Sequence, residues 1–184
     1  MANFHQALDI VLKHECGDNL LYGAYTNNPN DPGGETYMGI SRKYNKDWRG
    51  WDIIDKYKKS DCFPFNLLGI DDLNNLVSSC YKDKYWDAIK GDYIEIQPLA
   101  NKFFDAIVQP GFISIKLMQR SILDLTKDKK FVADGIVGSK TLNYLNSLNC
   151  DELLDLFRKR LVIYYEEGNN NPRFINGWIK RAMS

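Results

Sequence analysis

The sequence predicts a mainly α fold with one small, irregular β region near the N-terminus. Apolar residues recur at helical spacing along most of the chain, while Gly17, Gly23, Gly33, Gly34 and Gly39, with Pro29 and Pro32, crowd the segment from 16 to 40. No linker, repeat or low-complexity tract interrupts the rest. At 184 residues, 44% hydrophobic and 13% aromatic, the chain can bury a core as one body or as two closely joined halves.

Asn3 to Glu15 reads as one amphipathic helix. Asn3 caps it with Gln6 as the other half of a capping box, and Phe4, Leu8, Val11, Leu12 and Glu15 share one face. A carboxylate therefore points where the core points. Partial burial and the negative end of the helix dipole both disfavour its ionised form, so a raised pKa is expected for Glu15, as a general acid needs. The plainer alternative is a last-turn residue that bends into water where Gly17 stops the helix. Residues 18 to 40 read as tight turns or a small hairpin, with Asp31 and Thr36 on backbone that other groups can approach closely.

Residues 41 to 70, with Trp48, Trp51, Tyr57, Phe63 and Phe65, have an aromatic density that could line a sugar cleft, but for most of them the plainer reading is a loop and short helix packed on the core. Asp71 or Asp72 caps the next helix, which carries Leu73, Leu76, Val77, Cys80 and Lys84 down one side and ends near Gly91. Another spans Leu99 to Val108, with Pro98 in its first turn, Phe103, Ala106 and Ile107 inward, and Pro110-Gly111 as its stop. Ser114 caps a helix built on Ile115, Met118, Ile122 and Leu125. Turns at Asp134-Gly135 and Gly138 precede a helix at Thr141, Leu142 and Leu145. Asp151 caps a long helix to Glu167, and a short one follows around Trp178 and Arg181.

Lysine plus arginine equals aspartate plus glutamate, 24 each, so bulk charge implies no polyanion partner and nucleic-acid binding has no support. The opening Met-Ala-Asn-Phe-His has no basic region followed by an apolar run, and no stretch reaches bilayer length. Synthesis in the cytoplasm without a signal peptide, and no membrane insertion, are expected. Cys16, Cys62, Cys80 and Cys150 stand far apart and read as reduced thiols. His5 and His14 lie on opposite sides of the first helix and cannot share a metal from it. Nor does His14 face Cys16, as the base of a thiol nucleophile would. Neither metal nor cofactor is expected.

Glu15-x-Gly17, a short loop, and then Asn30-Asp31-Pro32-Gly33-Gly34-Glu35-Thr36-x-x-Gly39-Ile40-Ser41 resemble the N-terminal signature of glycoside hydrolase family 108, lysozyme-like muramidases of phages and bacteria. Tyr85-Trp86-Asp87 with Gly91-Asp92, and Phe104-Asp105-Ala106-Ile107-Val108-Gln109-Pro110-Gly111, continue the resemblance. Asp134-Gly135-x-x-Gly138-x-x-Thr141-Leu142 is similar to the turn of the peptidoglycan-binding half of such proteins, and Pro172-Arg173-Phe174, Gly177-Trp178 and Arg181 also fit. Their order and spacing carry the match. The chain departs from the pattern at Cys16, where the family has glycine, at Asp18, where it has tyrosine, in a longer loop from Asp18 to Asn28, and at Gln109, which replaces an asparagine.

The resemblance implies a lysozyme-like α+β fold with the β region over a cleft, a catalytic region over 1–96, and a helical peptidoglycan-binding region over 97–184 packed on it. It implies an endo-acting muramidase that hydrolyses the β-1,4 bond between N-acetylmuramic acid and N-acetylglucosamine. Glu15 would be the general acid. Asp31 and Thr36 would position water or steady the oxocarbenium-like state, and Gly34, Tyr37, Tyr93, Asp105 and Gln109 would contact sugar. Whether Asp31 or Glu35 is the second carboxylate stays open; the prolines and the helix stop at Gly17 favour Asp31, and Glu35 in an extended segment would point away from Thr36. The implied partner is the peptidoglycan glycan strand, acted on by a monomer that a holin or a secretion apparatus delivers to the cell wall. A lytic transglycosylase cutting the same bond, and a non-catalytic wall-binding protein, are the alternatives.

Overall fold

A computed structural model describes residues 1–17, 23–28, 33–168 and 172–184, the side chains of 172 and 173 excepted. Asp31, Asp18, Pro29 and Pro32 lie outside the described residues. Within them run the helices α1 (Phe4–Cys16), α2 (Gly50–Tyr57), α3 (Asp71–Tyr81), α4 (Gln97–Val108), α5 (Ile113–Thr126), α6 (Ser139–Ser147), α7 (Cys150–Glu167) and α8 (Pro172–Met183). The strands β1 (Tyr25–Thr26), β2 (Thr36–Tyr37) and β3 (Ile40–Ser41) form an antiparallel sheet in the order β1-β2-β3, inside the glycine-rich segment. The fold class is the predicted one, mainly α and lysozyme-like with a small β region.

The chain divides into two compact units, Met1–Ala7 with Tyr85–Ser184, and Leu8–Lys84, with α1 passing from one to the other. In the unit Leu8–Lys84, Tyr37 pairs with Tyr25 and Ile40, while Thr36 pairs with Thr26 and Ser41. Alternation then sends Tyr37 and Ile40 into the core with Val11, Trp51, Ile54 and Leu73. Met38 and Gly39 form the two-residue link between β2 and β3, with φ of +43° and +77°. Positive φ at both central residues is what a type I′ hairpin turn requires. Gly17 has φ +74° and stops α1 as predicted. Trp51 is buried and donates its indole N–H to the Asn45 carbonyl at 2.7 Å, while Trp48 meets it edge-on at 5.1 Å.

In the other unit, Phe103, Ala106 and Ile107 of α4 face inward as their spacing predicts, and Phe103 meets Phe157 of α7 edge-on at 5.9 Å. Phe4 of α1 packs on Trp86 at 5.5 Å and on Phe104 at 5.8 Å. The Asp134-Gly135 loop is pinned by Gln119 of α5, whose Nε2 donates to Asp134 Oδ1 at 2.8 Å and whose Oε1 accepts from Gly135 N at 2.8 Å. Glutamine can do both because its amide donates and accepts at one end.

Helix caps differ most from expectation. Asn3 Oδ1 accepts from Gln6 N at 3.1 Å, so Asn3 is the predicted cap. Its own N–H, however, goes to Gln97 Oε1 at 2.5 Å, and Gln97 Nε2 returns a bond to the Asn3 carbonyl at 3.1 Å. A distant glutamine thus takes the part expected of Gln6. Neither Asp71 nor Asp72 caps α3; the cap position is Ile70, and both acids sit in the first turn, where they complement the helix dipole. Ser114 lies inside α5 and is fully buried. Asn149, not Asp151, caps α7, accepting from the amides of Asp151 and Glu152 at 3.0 and 3.1 Å.

Candidate functional site

Glu15 sits half-buried in the last turn of α1, next to the buried Cys16. Burial, with a smaller push from the Glu15 carboxylate, raises the Cys16 thiol to about 11. It stays protonated at neutral pH and fills space as a small apolar group rather than acting as a nucleophile. The turn between β2 and β3 comes up against the Glu15 carboxylate. A Cβ on Gly39 would stand 3.2 Å from Glu15 Oε2 and 2.5 Å from Tyr81 Oη. Glycine is required there by its φ and by the space alike. Tyr81, the last residue of α3, is 2% exposed and donates its hydroxyl to the Met38 carbonyl at 2.9 Å.

The approach to β2 is tied down by side chains. Ser41 Oγ donates to the Gly33 carbonyl at 2.6 Å, and Thr36 Oγ1 donates to the Gly34 carbonyl at 3.1 Å. The Thr36 proton is therefore committed to its own turn, and its lone pairs remain to accept. Gly34 has φ +66° and open space where a Cβ would be. Tyr37, expected at the sugar, has no exposed surface and stacks on Trp48 at 6.5 Å. Burial raises its pKa, and its Oη has no hydrogen-bond partner among the described residues.

Glu35 belongs to a charge cluster. Its side chain is 11% exposed and receives Arg42 Nη1 at 2.6 Å, Lys58 Nζ at 2.8 Å and Tyr25 Oη at 3.0 Å. Arg42 and Lys58 also pair with Asp55 of α2, and the Arg42 guanidinium lies over the Trp51 ring at 5.0 Å. Burial alone would raise the Glu35 pKa, but the bonds from Lys58, Arg42 and Tyr25 outweigh it and hold the carboxyl below its ordinary value. A carboxylate so held is a poor proton donor. What the cluster does is fasten the sheet to α2.

The three remaining expected sugar contacts lie in the other unit. Tyr93 is 65% exposed, and its carbonyl accepts from Asn146 Nδ2 at 2.9 Å. Asp105 is 4% exposed; Arg181 Nε donates to its Oδ1 at 2.9 Å, and Lys102 Nζ stands 3.5 Å from its Oδ2. Lys102 also donates to the Arg181 carbonyl at 2.6 Å, and burial lowers its pKa against the opposing pull of Asp105. Gln109 accepts a hydrogen bond from the Tyr165 hydroxyl. Asp105 and Gln109 thus hold α8 and α7 to α4.

The sequence singles out Glu15 as a candidate and the glycine-rich segment as a turn, but gives no sign of the contacts made by Tyr81, Arg42, Lys58 and Asp55. The two-residue Met38-Gly39 link was a readable hairpin signal. Tyr81 gave none, because an inward tyrosine at the end of an apolar helix face looks like any other core residue.

A family model described as Glycosyl hydrolase 108 matches residues 8–111, and one described as Predicted Peptidoglycan domain matches residues 113–183. The solved structure of Brucella abortus SagA is similar with a TM-score of 0.66 and 21% identity, over 98% of this chain and 89% of that one. At that identity the likeness concerns the fold. No curated protein matches. The two matched regions together support a glycosidase that degrades peptidoglycan. With its signature run from Glu15 to Ser41 inside the larger match, the chain belongs to glycosyl hydrolase family 108.

Proposed function

We propose that the protein is a muramidase that hydrolyses the β-1,4 bond between N-acetylmuramic acid and N-acetylglucosamine, with Glu15 as general acid. The observation that carries this reading is the half-buried Glu15 carboxyl at the end of α1, closed on one side by the Met38–Gly39 turn, within the residues the family model matches. Glu15 gives its proton to the departing glycosidic oxygen. Commitment of Glu35 to Arg42 and Lys58 supports Asp31 as the second carboxylate. Thr36, its own proton bonded to Gly34, accepts from the attacking water. Catalysis is assigned to the region before about residue 97 and wall binding to the helices after it, in a monomer that a holin or secretion apparatus brings to the wall. No helix of the described residues is long and apolar enough to cross a membrane.

Glu15→Gln tests the reading. It is nearly isosteric and has no labile proton, so lysis of purified walls should fall by at least about a hundredfold with the thermal midpoint unchanged. Near-normal activity would remove Glu15 from the mechanism. Mass spectrometry of sacculus digests decides the reaction: reducing sugar ends mark hydrolysis, 1,6-anhydromuramic ends mark transglycosylation, and an intact sacculus marks binding alone. Asp31→Asn should be as inactive as Glu15→Gln, and full activity in it would end the role given to Asp31.

A further inference from the structure

Met38 is held in a backbone conformation that its side chain disfavours. Its φ of +43° is left-handed, a region that a non-glycine side chain disfavours and that persists only where the surroundings over-determine it. Here two hydrogen bonds hold it, one at each of its two flanking peptide groups: Met38 N donates to the Ala24 carbonyl at 2.6 Å, and Tyr81 Oη donates to the Met38 carbonyl at 2.9 Å. The first comes from within the β region. The second comes from the end of α3, just before the chain enters a π-helical turn over Lys82–Trp86.

The next residue, Gly39, brings the turn to the Glu15 carboxyl. The same empty Cβ position lies 2.5 Å from Tyr81 Oη and 3.2 Å from Glu15 Oε2, so hydroxyl and carboxylate border one small volume that glycine leaves open. The Tyr81 ring is almost wholly buried and cannot follow a moving loop. We propose that Tyr81 is the positioning residue of the catalytic carboxyl: by holding the Met38 carbonyl, its hydroxyl sets the strained Met38–Gly39 turn as a wall beside Glu15 and fixes the direction in which the acid presents its proton. The inference rests on Glu15 being the general acid. The role given to Tyr81 is exerted through the Met38 carbonyl, which its hydroxyl holds at 2.9 Å. Its effect passes through the turn.

The test is a cycle of variants assayed on soluble glycan-strand fragments, with melting curves for each. Tyr81→Phe keeps the buried ring and loses only the hydroxyl; kcat should fall about tenfold with KM within about twofold, since an acid that is misaimed rather than absent loses transition-state stabilisation and not ground-state binding. Gly39→Ala should lose about a hundredfold in kcat, because its methyl meets both Tyr81 Oη and Glu15 Oε2. In Gly39→Ala/Tyr81→Phe the tightest clash is gone, so the double variant should be no worse than Gly39→Ala alone. Wild-type kcat in Tyr81→Phe, or a lower melting point with unchanged kcat, overturns the inference. So does a double variant as poor as the product of the two singles. Should Gly39→Ala fail to fold, Tyr81→Phe decides alone. An inactive Glu15→Gln beside a fully active Tyr81→Phe removes this inference and leaves the acid in place, whereas an active Glu15→Gln removes both.

Discussion

The Trp86 indole lies so close to Gly91 that a Cβ on the glycine would stand 2.2 Å from the ring's Cε2. The same indole donates to Asp92 Oδ1 at 2.7 Å, so the Trp-Asp and Gly-Asp segments of the sequence are one interlocked turn. Gly91→Ala should destabilise the protein by about 2 kcal/mol or more, as overpacking against a buried ring does. Urea unfolding checks it, and a wild-type midpoint would mean that the indole can move aside.

Asp105 neutralises two cations in a place that water barely reaches. In Asp105→Asn, Lys102 and Arg181 lose their counter-ion in a buried place, which should cost about 3 kcal/mol. Because Arg181 lies on α8, hydrogen exchange should quicken first in that helix. Uniform exchange across α4, α7 and α8 would show that the pair does not fasten α8 in particular.

Acid should loosen the sheet before it unfolds the rest. Glu35 has its pKa lowered in the folded protein, so it stabilises fully above the unfolded-chain value, about 4.5, and that contribution is lost as pH falls through the folded one. Thermal midpoints should therefore drop below about pH 4.5, and Glu35→Gln should be less stable at neutral pH by about 1 kcal/mol with a flatter acid limb. Asp55, also lowered by Arg42 and Lys58 but about half exposed, leaves a residual slope. Parallel curves for wild type and variant would exclude Glu35 as a source of the acid sensitivity.

A fragment of residues 97–184 should not melt cooperatively. Phe104 packs edge-on to Trp86 at 5.3 Å and against Phe4, and both partners are missing from the fragment. Exposing Phe104 and freeing Gln97 from Asn3 removes contacts that a small unit cannot spare. A cooperative transition in calorimetry, together with peptidoglycan binding, would show that the helices after residue 97 are self-sufficient.

Periodicity made the helices legible, because apolar spacing at 3.6 residues is a local property that packing here obeys: Phe103, Ala106 and Ile107 turn inward where the pattern puts them. The hairpin was legible as punctuation, through glycine. Caps were less so. A side chain such as Asn149 can outcompete its neighbour Asp151 for the same amides, and Gln97 can serve a helix that begins far away in the chain. Glu15 stands out as a candidate because it puts a carboxyl on the apolar face of its helix. Tyr81 and the cations on Glu35 stayed hidden, since what matters in them is a distance across the fold, and hydroxyl or guanidinium partners leave no mark in spacing.

The bonds between Asn3 and Gln97, and between the Ala2 amide and the Ile94 carbonyl at 2.7 Å, also set a timetable. A ribosome adding about 5 to 20 residues each second makes the first turn of α1 several seconds before the residues that clasp it. Until then the helix that ends in Glu15 has its opening turn unanchored and Phe4 in water. A chain cut short ahead of Trp86 can carry the whole glycine-rich signature and still leave that helix without its seat, so translation must run well past the signature before α1 is anchored at both ends.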